Sequence, residues 1–135
     1  MTAISTPLNE STDSLLRFAL RLDASVSGVL GVATLALAGW LTESSGIPAA
    51  LDYVLGPLFI AFSIGVFVIA AQRSVRRAGI TIALGNLAYT IGSVVFVLAD
   101  VLPLTTIGVV LVLAVGVYTA AVGVLQYAGW RRARA

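Results

Sequence analysis

The sequence contains no cysteine and no histidine, and all of its basic residues are arginines. Without thiols it can form neither disulfides nor thiolate nucleophiles. Without imidazoles it lacks the commonest metal ligand and the commonest proton-transfer group. These absences exclude His-ligated metals, His-ligated haem and Cys/His zinc sites. No nucleophile–base pair or phosphate-binding glycine loop compensates for them, and we expect no cofactor and no enzymatic activity.

Charge is scarce as well. Charged residues make up 10% of the 135 residues and hydrophobic residues 59%, with a mean hydropathy of +1.05. Soluble domains average about 25% charged and about 45–50% apolar residues. A soluble fold of this length could not bury so much apolar surface. We therefore expect the lipid bilayer to be the main partner of this chain, and we expect no nucleic-acid binding, because no sustained basic surface is present.

Four apolar runs follow one another along the chain, each near the ~20 residues that span a bilayer as a helix. They predict an all-α, four-transmembrane-helix bundle that forms a single membrane domain over residues 15–132. The predicted helices span about residues 15–41 or 24–41, residues 48–72 or 54–72, residues 78–99 and residues 104–130. Residues 1–14 are polar and predict a disordered cytoplasmic tail, and residues 133–135 form a basic tail.

The arginines predict the orientation. They lie at residues 17, 21, 73, 76, 77, 131, 132 and 134, whereas the other two connections carry only Glu43, Asp52 and Asp100. Basic residues concentrate in cytoplasmic segments. The pattern therefore predicts an N-in/C-in, up-down-up-down topology in the cytoplasmic (inner) membrane.

Polar residues within the runs are the candidate sites. Asn86, Tyr89, Thr90 and Ser93 recur at helical spacing in the third run, and an unpaired amide facing lipid is costly. We expect this stripe to face inward, either as interhelical hydrogen-bonding groups or as the lining of a ligand cavity. Pro57 in the second run indicates either a kink with a freed carbonyl or a helix that begins at Gly56.

Charged residues at the run edges give two further candidates. Asp23 is a candidate interface charge, which we interpret as an N-cap if the first helix begins near residue 24. If the helix begins near Ser14, Asp23 lies deeper and requires an arginine partner. Arg73, Arg76 and Arg77 are candidate contacts for anionic lipid headgroups.

Small residues recur at intervals of three and four in the first run, at Ala24, Gly28 and Gly31 among others. Such stripes are packing seams of membrane helices. We expect intramolecular packing here, with a homodimer face as the alternative.

Two resemblances to known proteins can be stated. The length and helix number resemble the small multidrug resistance family, which places an essential Glu inside its first helix. Residues 25–41 contain no acid, and only Asp23 could substitute. The segment Leu20-Arg21-Leu22-Asp23-Ala24, with Ser27-Gly28, Gly31, Gly85-Asn86 and Gly92-Ser93, resembles a group of small four-helix actinobacterial membrane proteins. That resemblance implies a fold and a membrane location over about residues 18–132, and no catalytic residue.

Three functional hypotheses follow. The first is an accessory or structural membrane protein that packs against a partner or against itself. The second is a small transporter or channel that works as an oligomer. The third is a binding site for a lipid or apolar ligand near Asn86 and Pro57.

Overall fold

The computed structural model describes the backbone of residues 2–133 and the side chains of residues 13–133. The helices in this part of the chain are α1 Thr2–Ala36, α2 Ala38–Ser45, α3 Ala49–Ala70, α4 Arg76–Ala99 and α5 Thr106–Arg132. Four segments are long and apolar enough to cross a membrane, namely Asp13–Ala36, Ala49–Ala70, Arg76–Ala99 and Thr106–Arg132. The prediction of an all-α chain with four apolar helices long enough to cross a membrane is confirmed.

The first helix extends further towards the N-terminus than the sequence predicts. α1 begins at Thr2, so residues 2–14 are helical where a disordered tail is expected, and Met1 lies outside the described residues. The polar stretch can continue the apolar helix because extending a formed helix requires no new nucleus. One helix thus runs through both alternative starts. Of the predicted basic tail, only Ala133 is described, and its N–H donates to the Gly129 carbonyl at 2.9 Å.

The first predicted run is divided between two helices. Leu37 separates α1 from α2 with φ −109° and ψ 15°, and α2 ends at Gly46. The φ of Gly46 is 80°, in the left-handed region that glycine adopts without strain. Its N–H donates to the Thr42 carbonyl at 3.2 Å and satisfies one of the open carbonyls at the helix end.

Helix α3 begins near residue 48, the earlier of its two predicted starts. Pro48 precedes it in an extended conformation and Ala49 is its first residue. Pro57 therefore lies inside α3, and the alternative that this helix begins at Gly56 is wrong. The ring of Pro57 is exposed, and its position leaves the Tyr53 carbonyl without its helical donor.

The long helices pack as two pairs. α3 lies along α1, α4 lies along α5, and the pairs join mainly through contact between α1 and α5. α3 and α4 barely touch each other, although they are consecutive in the chain. The side of the bundle between α3 and α4 is therefore open, and this opening positions the candidate site.

Glycines allow the close approach of α1 to α3. A Cβ atom added at Gly31 would lie 2.7 Å from the Gly56 carbonyl oxygen, and one added at Gly28 would lie 2.8 Å from Ser63 Oγ. Ser63 Oγ in turn donates to the Ala24 carbonyl at 2.6 Å. The small-residue stripe of the first run is thus used inside the molecule, as expected of a packing seam.

Arginines gather at one end of the bundle, which we call the arginine end. Arg17 donates to the carbonyls of Ala70, Gln72 and Arg73 at 2.8, 2.6 and 2.9 Å. These carbonyls lie at the end of α3 and in the segment that follows it, so a side chain of α1 supplies donors that this helix end lacks. At the same end, the Arg76 guanidinium lies 4.4 Å from the centre of the Trp130 ring of α5.

The opposite end is held by backbone contacts. The Thr105 N–H donates to the Ser45 carbonyl at 3.0 Å, and the Thr105 hydroxyl donates to the Ser44 carbonyl. Gly108 faces Ser45 so closely that an added Cβ would lie 2.1 Å from its carbonyl oxygen. Through α2, this end of α3 is therefore tied to α5.

Candidate functional site

Asp23 lies inside Asp13–Ala36, the segment of α1 that is long and apolar enough to cross a membrane. It is six residues beyond Arg17 and thirteen before Ala36, which corresponds to about 9 Å and about 20 Å along the helix axis. Its side chain is 1% exposed. The N-cap interpretation is wrong, because α1 begins at Thr2 and residue 23 is far from either helix end.

Four neutral side chains donate hydrogen bonds to the Asp23 carboxylate. Asn86 Nδ2 and Gln126 Nε2 donate to Oδ2 at 2.7 and 2.9 Å. Tyr118 Oη and Ser27 Oγ donate to Oδ1 at 3.0 and 3.2 Å. Each carboxylate oxygen thus accepts two bonds, which is close to its full capacity. We call these five residues the Asp23 network.

Asp23 has no arginine partner among the described side chains. The expectation that a deep Asp23 requires an arginine is wrong, because amide and hydroxyl donors from α1, α4 and α5 solvate it instead. Hydrogen bonds inside membrane proteins contribute about 0.6 kcal/mol each, and these four offset part of the cost of burying Asp23. An ionisable residue inside a membrane bundle is by default a candidate for function.

The placement of Asp23 also changes one earlier inference. The sequence argued against a transport role because the only acid near the first run lay at its boundary. The structure places that acid within the span, so this reason is wrong, and the transport hypothesis has to be judged on other grounds.

Three of the four residues of the predicted polar stripe face the interior. Asn86 is 7% exposed, and its Nδ2 also donates to Gln126 Oε1 at 2.9 Å. Thr90 Oγ1 lies 2.7 Å from Thr119 Oγ1 and donates to the Gly116 carbonyl at 2.9 Å. Ser93 is buried, and its hydroxyl donates to the Thr90 carbonyl at 2.7 Å.

Tyr89 differs from the rest of the stripe. Its side chain is 40% exposed and its ring lies 6.5 Å, centre to centre, from the ring of Phe59 on α3. Tyr89 therefore faces the opening between α3 and α4, where it is one of the few groups that bridge the two helices.

Three network residues were not predicted as site residues from the sequence, namely Ser27 on α1 and two residues of α5. Gln126 is completely buried and Tyr118 is half-buried, both on α5. A signal for Gln126 was present, because Gly116, Thr119, Gly123 and Gln126 recur at intervals of three and four and mark one helix face. Tyr118 lies beside this face, and no sequence pattern distinguishes it from an aromatic residue facing lipid.

The opening between α3 and α4 contains a cavity of about 330 Å³, and a second of about 340 Å³ lies next to it, with Leu55 and Tyr89 lining both. We call this space the lateral cleft. Its walls are aliphatic and aromatic, formed by Leu51, Leu55, Leu58, Phe59, Phe62, Gly85, Tyr89, Gly92 and Phe96 among others. Its floor includes Ser27, Asn86, Tyr118 and Thr119, and three of these belong to the Asp23 network. Pro57 does not line it.

The predicted lipid-contacting arginines have different environments. Arg77 lines a broad depression at the arginine end, together with Ile69 of α3 and Ile82 of α4. Arg76 is engaged with Trp130, and the Arg73 carbonyl accepts from Arg17. Of the three, Arg77 is the one that lines this depression between α3 and α4.

No protein family, curated protein sequence or solved structure matches this chain. Within residues 13–133, no three acidic side chains gather into a group that could hold a metal ion. The site must therefore be interpreted from its own geometry.

Proposed function

We propose that this chain is a non-catalytic, multi-pass protein of the cytoplasmic membrane that binds the apolar part of an amphiphilic molecule in the lateral cleft. The observation that carries the proposal is the separation of α3 from α4 over a floor built by the Asp23 network. Apolar walls with a few convergent polar groups, in a cavity of about 300–1,000 Å³, are typical of small-molecule sites.

The polar floor distinguishes the cleft from a simple gap filled by lipid tails. A gap between helices needs no buried carboxylate, and placing one in a bundle is costly. The hydrogen bonds of Asp23 fix the side chains of Ser27, Asn86 and Tyr118, so the floor is preorganised before any ligand enters. Preorganised polar groups reduce the ordering cost of binding.

The proposed orientation places both termini and the arginine end at the cytoplasmic face, with an up-down-up-down order of helices. It is supported by the contacts of Arg17 with the end of α3 and of Arg76 with the end of α5. It is also supported by the positive-inside tendency of short connections.

The test compares two glycines. Gly85 lines the cleft and Gly65 lies elsewhere on α3, and a Cβ at either position would meet no described atom within 4 Å. In Gly85→Phe the new ring should fill the cleft, and the purified protein should lose most of the amphiphile that copurifies with wild type in native mass spectra. Gly65→Phe should retain it. Equal retention by both variants would reject binding in the cleft.

A second candidate is the accessory role, in which the chain packs against a membrane-protein partner or a second copy. One face of α4 favours this role, because its small residues Gly85, Ala88 and Gly92 are exposed. The small-residue stripe of α1, by contrast, packs against α3 inside the molecule. Because the chain lacks cysteine, Ala88→Cys provides a clean probe. The control is Val124→Cys, at an exposed position on α5. Disulfide cross-linking in membranes by Ala88→Cys and not by Val124→Cys would support this role. Equal cross-linking by both variants would count against it.

A further inference from the structure

The direction of the hydrogen bonds in the Asp23 network determines what its members can offer to a ligand. A carboxylate only accepts, so the amide nitrogens of Asn86 and Gln126 and the hydroxyl hydrogens of Ser27 and Tyr118 are all turned towards Asp23. Both hydrogens of Asn86 Nδ2 are engaged, one by Asp23 and one by Gln126 Oε1.

One acceptor remains without a partner. Asn86 Oδ1 has no hydrogen bond in the described part of the chain. In that part, the side-chain polar atoms that have neither a partner nor any accessible surface are Asp52 Oδ2 and Arg76 Nε. Asn86 Oδ1 is not one of them, so it keeps some accessible surface. Asn86 is more than nine-tenths buried, and the surface that it retains lines the lateral cleft. Its amide oxygen is therefore the polar atom that this residue presents to a molecule in the cleft.

The other polar groups of the floor are of the same kind. Ser27 and Tyr118 commit their single hydrogens to Asp23 and retain oxygen lone pairs. The Thr119 hydroxyl donates to the Gly116 carbonyl. The floor of an otherwise apolar cleft is thus made of acceptors, because the buried carboxylate and the Gly116 carbonyl accept from its donors.

We infer that the lateral cleft selects amphiphiles whose headgroup donates hydrogen bonds, such as long-chain alcohols and protonated primary amines. This inference rests on the proposed function, since it names the ligand class of the same site. Headgroups without donors leave Asn86 Oδ1 desolvated and unpaired, which weakens their binding. Positive charge alone does not satisfy the site, because a quaternary ammonium group has no hydrogen to donate.

The test uses four probes with the same dodecyl chain and the full protein in detergent, followed by native mass spectrometry. Dodecylamine and dodecanol should bind about 5- to 150-fold more tightly than dodecyltrimethylammonium and dodecanoate. Dodecyltrimethylammonium binding as tightly as dodecylamine would overturn the inference, because charge and not donation would then explain the selection. Dodecanoate binding as tightly as dodecanol would overturn it too.

Variants separate this inference from the proposed function. Asn86→Leu should bind all four probes with similar affinity, and Gly65→Phe should keep the wild-type order. Asp23 acts as a positioning residue, so Asp23→Asn should weaken the preference for donors while the chain still binds. If wild type binds every probe equally and Gly85→Phe abolishes that binding, only the inference fails. If wild type binds none of the probes, the proposed function fails with it. The wild-type comparison stands even if a variant does not fold.

Discussion

Asn86 Nδ2 on α4 donates to Asp23 Oδ2 on α1 at 2.7 Å, across 63 positions of the sequence. α1 and α4 otherwise make little contact, since they lie diagonally across the bundle. This bond, together with the donation from Gln126, connects the helix pair α1–α3 to the pair α4–α5 through the membrane interior.

Substituting Asp23 should destabilise the bundle in a graded way. Asp23→Asn keeps one acceptor oxygen and loses about two hydrogen bonds, whereas Asp23→Leu loses all four. At about 0.6 kcal/mol per bond inside membrane proteins, we expect losses of about 1 and about 2 kcal/mol in the free energy of unfolding. Unfolding by dodecyl sulfate in mixed micelles measures both.

Asp100→Asn is the matched control for that series. Asp100 is exposed at the end of α4 with φ 54°, a conformation that Asn also adopts readily. Its stability should equal that of wild type. If Asp23→Leu were as stable as Asp100→Asn, the Asp23 network would have no stabilising role.

Gly31→Ala should weaken the packing of α1 on α3. The added Cβ would lie 2.7 Å from the Gly56 carbonyl oxygen and 3.0 Å from the Ile60 nitrogen, and backbone atoms cannot move aside as a side chain can. We expect a loss of about 1–3 kcal/mol, measured by thermal unfolding in detergent. Gly65→Ala should instead gain up to about 1 kcal/mol from helix propensity. An equal effect of both substitutions would contradict the close approach.

Arg17→Ala should release the segment that joins α3 to α4. Arg17 holds three carbonyls of residues 70–73, and Arg21 on the same helix is exposed. Trypsin cleaves this chain only at arginine, because lysine is absent. Cleavage after Arg73 should therefore accelerate in Arg17→Ala and stay at the wild-type rate in Arg21→Ala. Acceleration in both would indicate a general loss of stability.

The proposed topology can be tested by labelling. Ser44→Cys lies at the end opposite the arginine end and Ser74→Cys lies at the arginine end. In intact cells a membrane-impermeant maleimide should label Ser44→Cys and leave Ser74→Cys unlabelled. Reporter fusions after residues 44, 74, 102 and 135 should correspondingly report outside, inside, outside and inside. The reverse pattern would reject the orientation and leave the fold unaffected.

Hydropathy was sufficient to predict the four long helices, because each run has to cover hydrocarbon with apolar side chains. The inward orientation of Asn86, Thr90 and Ser93 was also predictable, since their polar groups need partners in lipid. The depth of Asp23 was not. Arg17 and Arg21 suggested that the membrane edge lay beside Asp23. Arg17 instead contacts a carbonyl at the end of α3, and Asp23 lies about 9 Å further into the bundle along α1.

The open side of the bundle could not be predicted from the sequence at all. Periodicity shows which face of a helix is apolar, but α3 is nearly apolar on every face, as is α4 outside its polar stripe, so their neighbours are not specified. The contacts that decide the arrangement are individual close approaches, such as Gly31 against Gly56 and Gly116 against Ser93. Gln126 was missed for a related reason, because its partners lie on two other helices.

The two helices that border the cleft are each held from the far side, α3 by α1 and α4 by α5, and hardly by one another. A guest molecule can therefore enter sideways from the hydrocarbon without breaking a contact between the two helices. Its occupancy then follows its mole fraction among the surrounding lipids, and dissociation constants expressed per litre of buffer will combine partitioning with recognition.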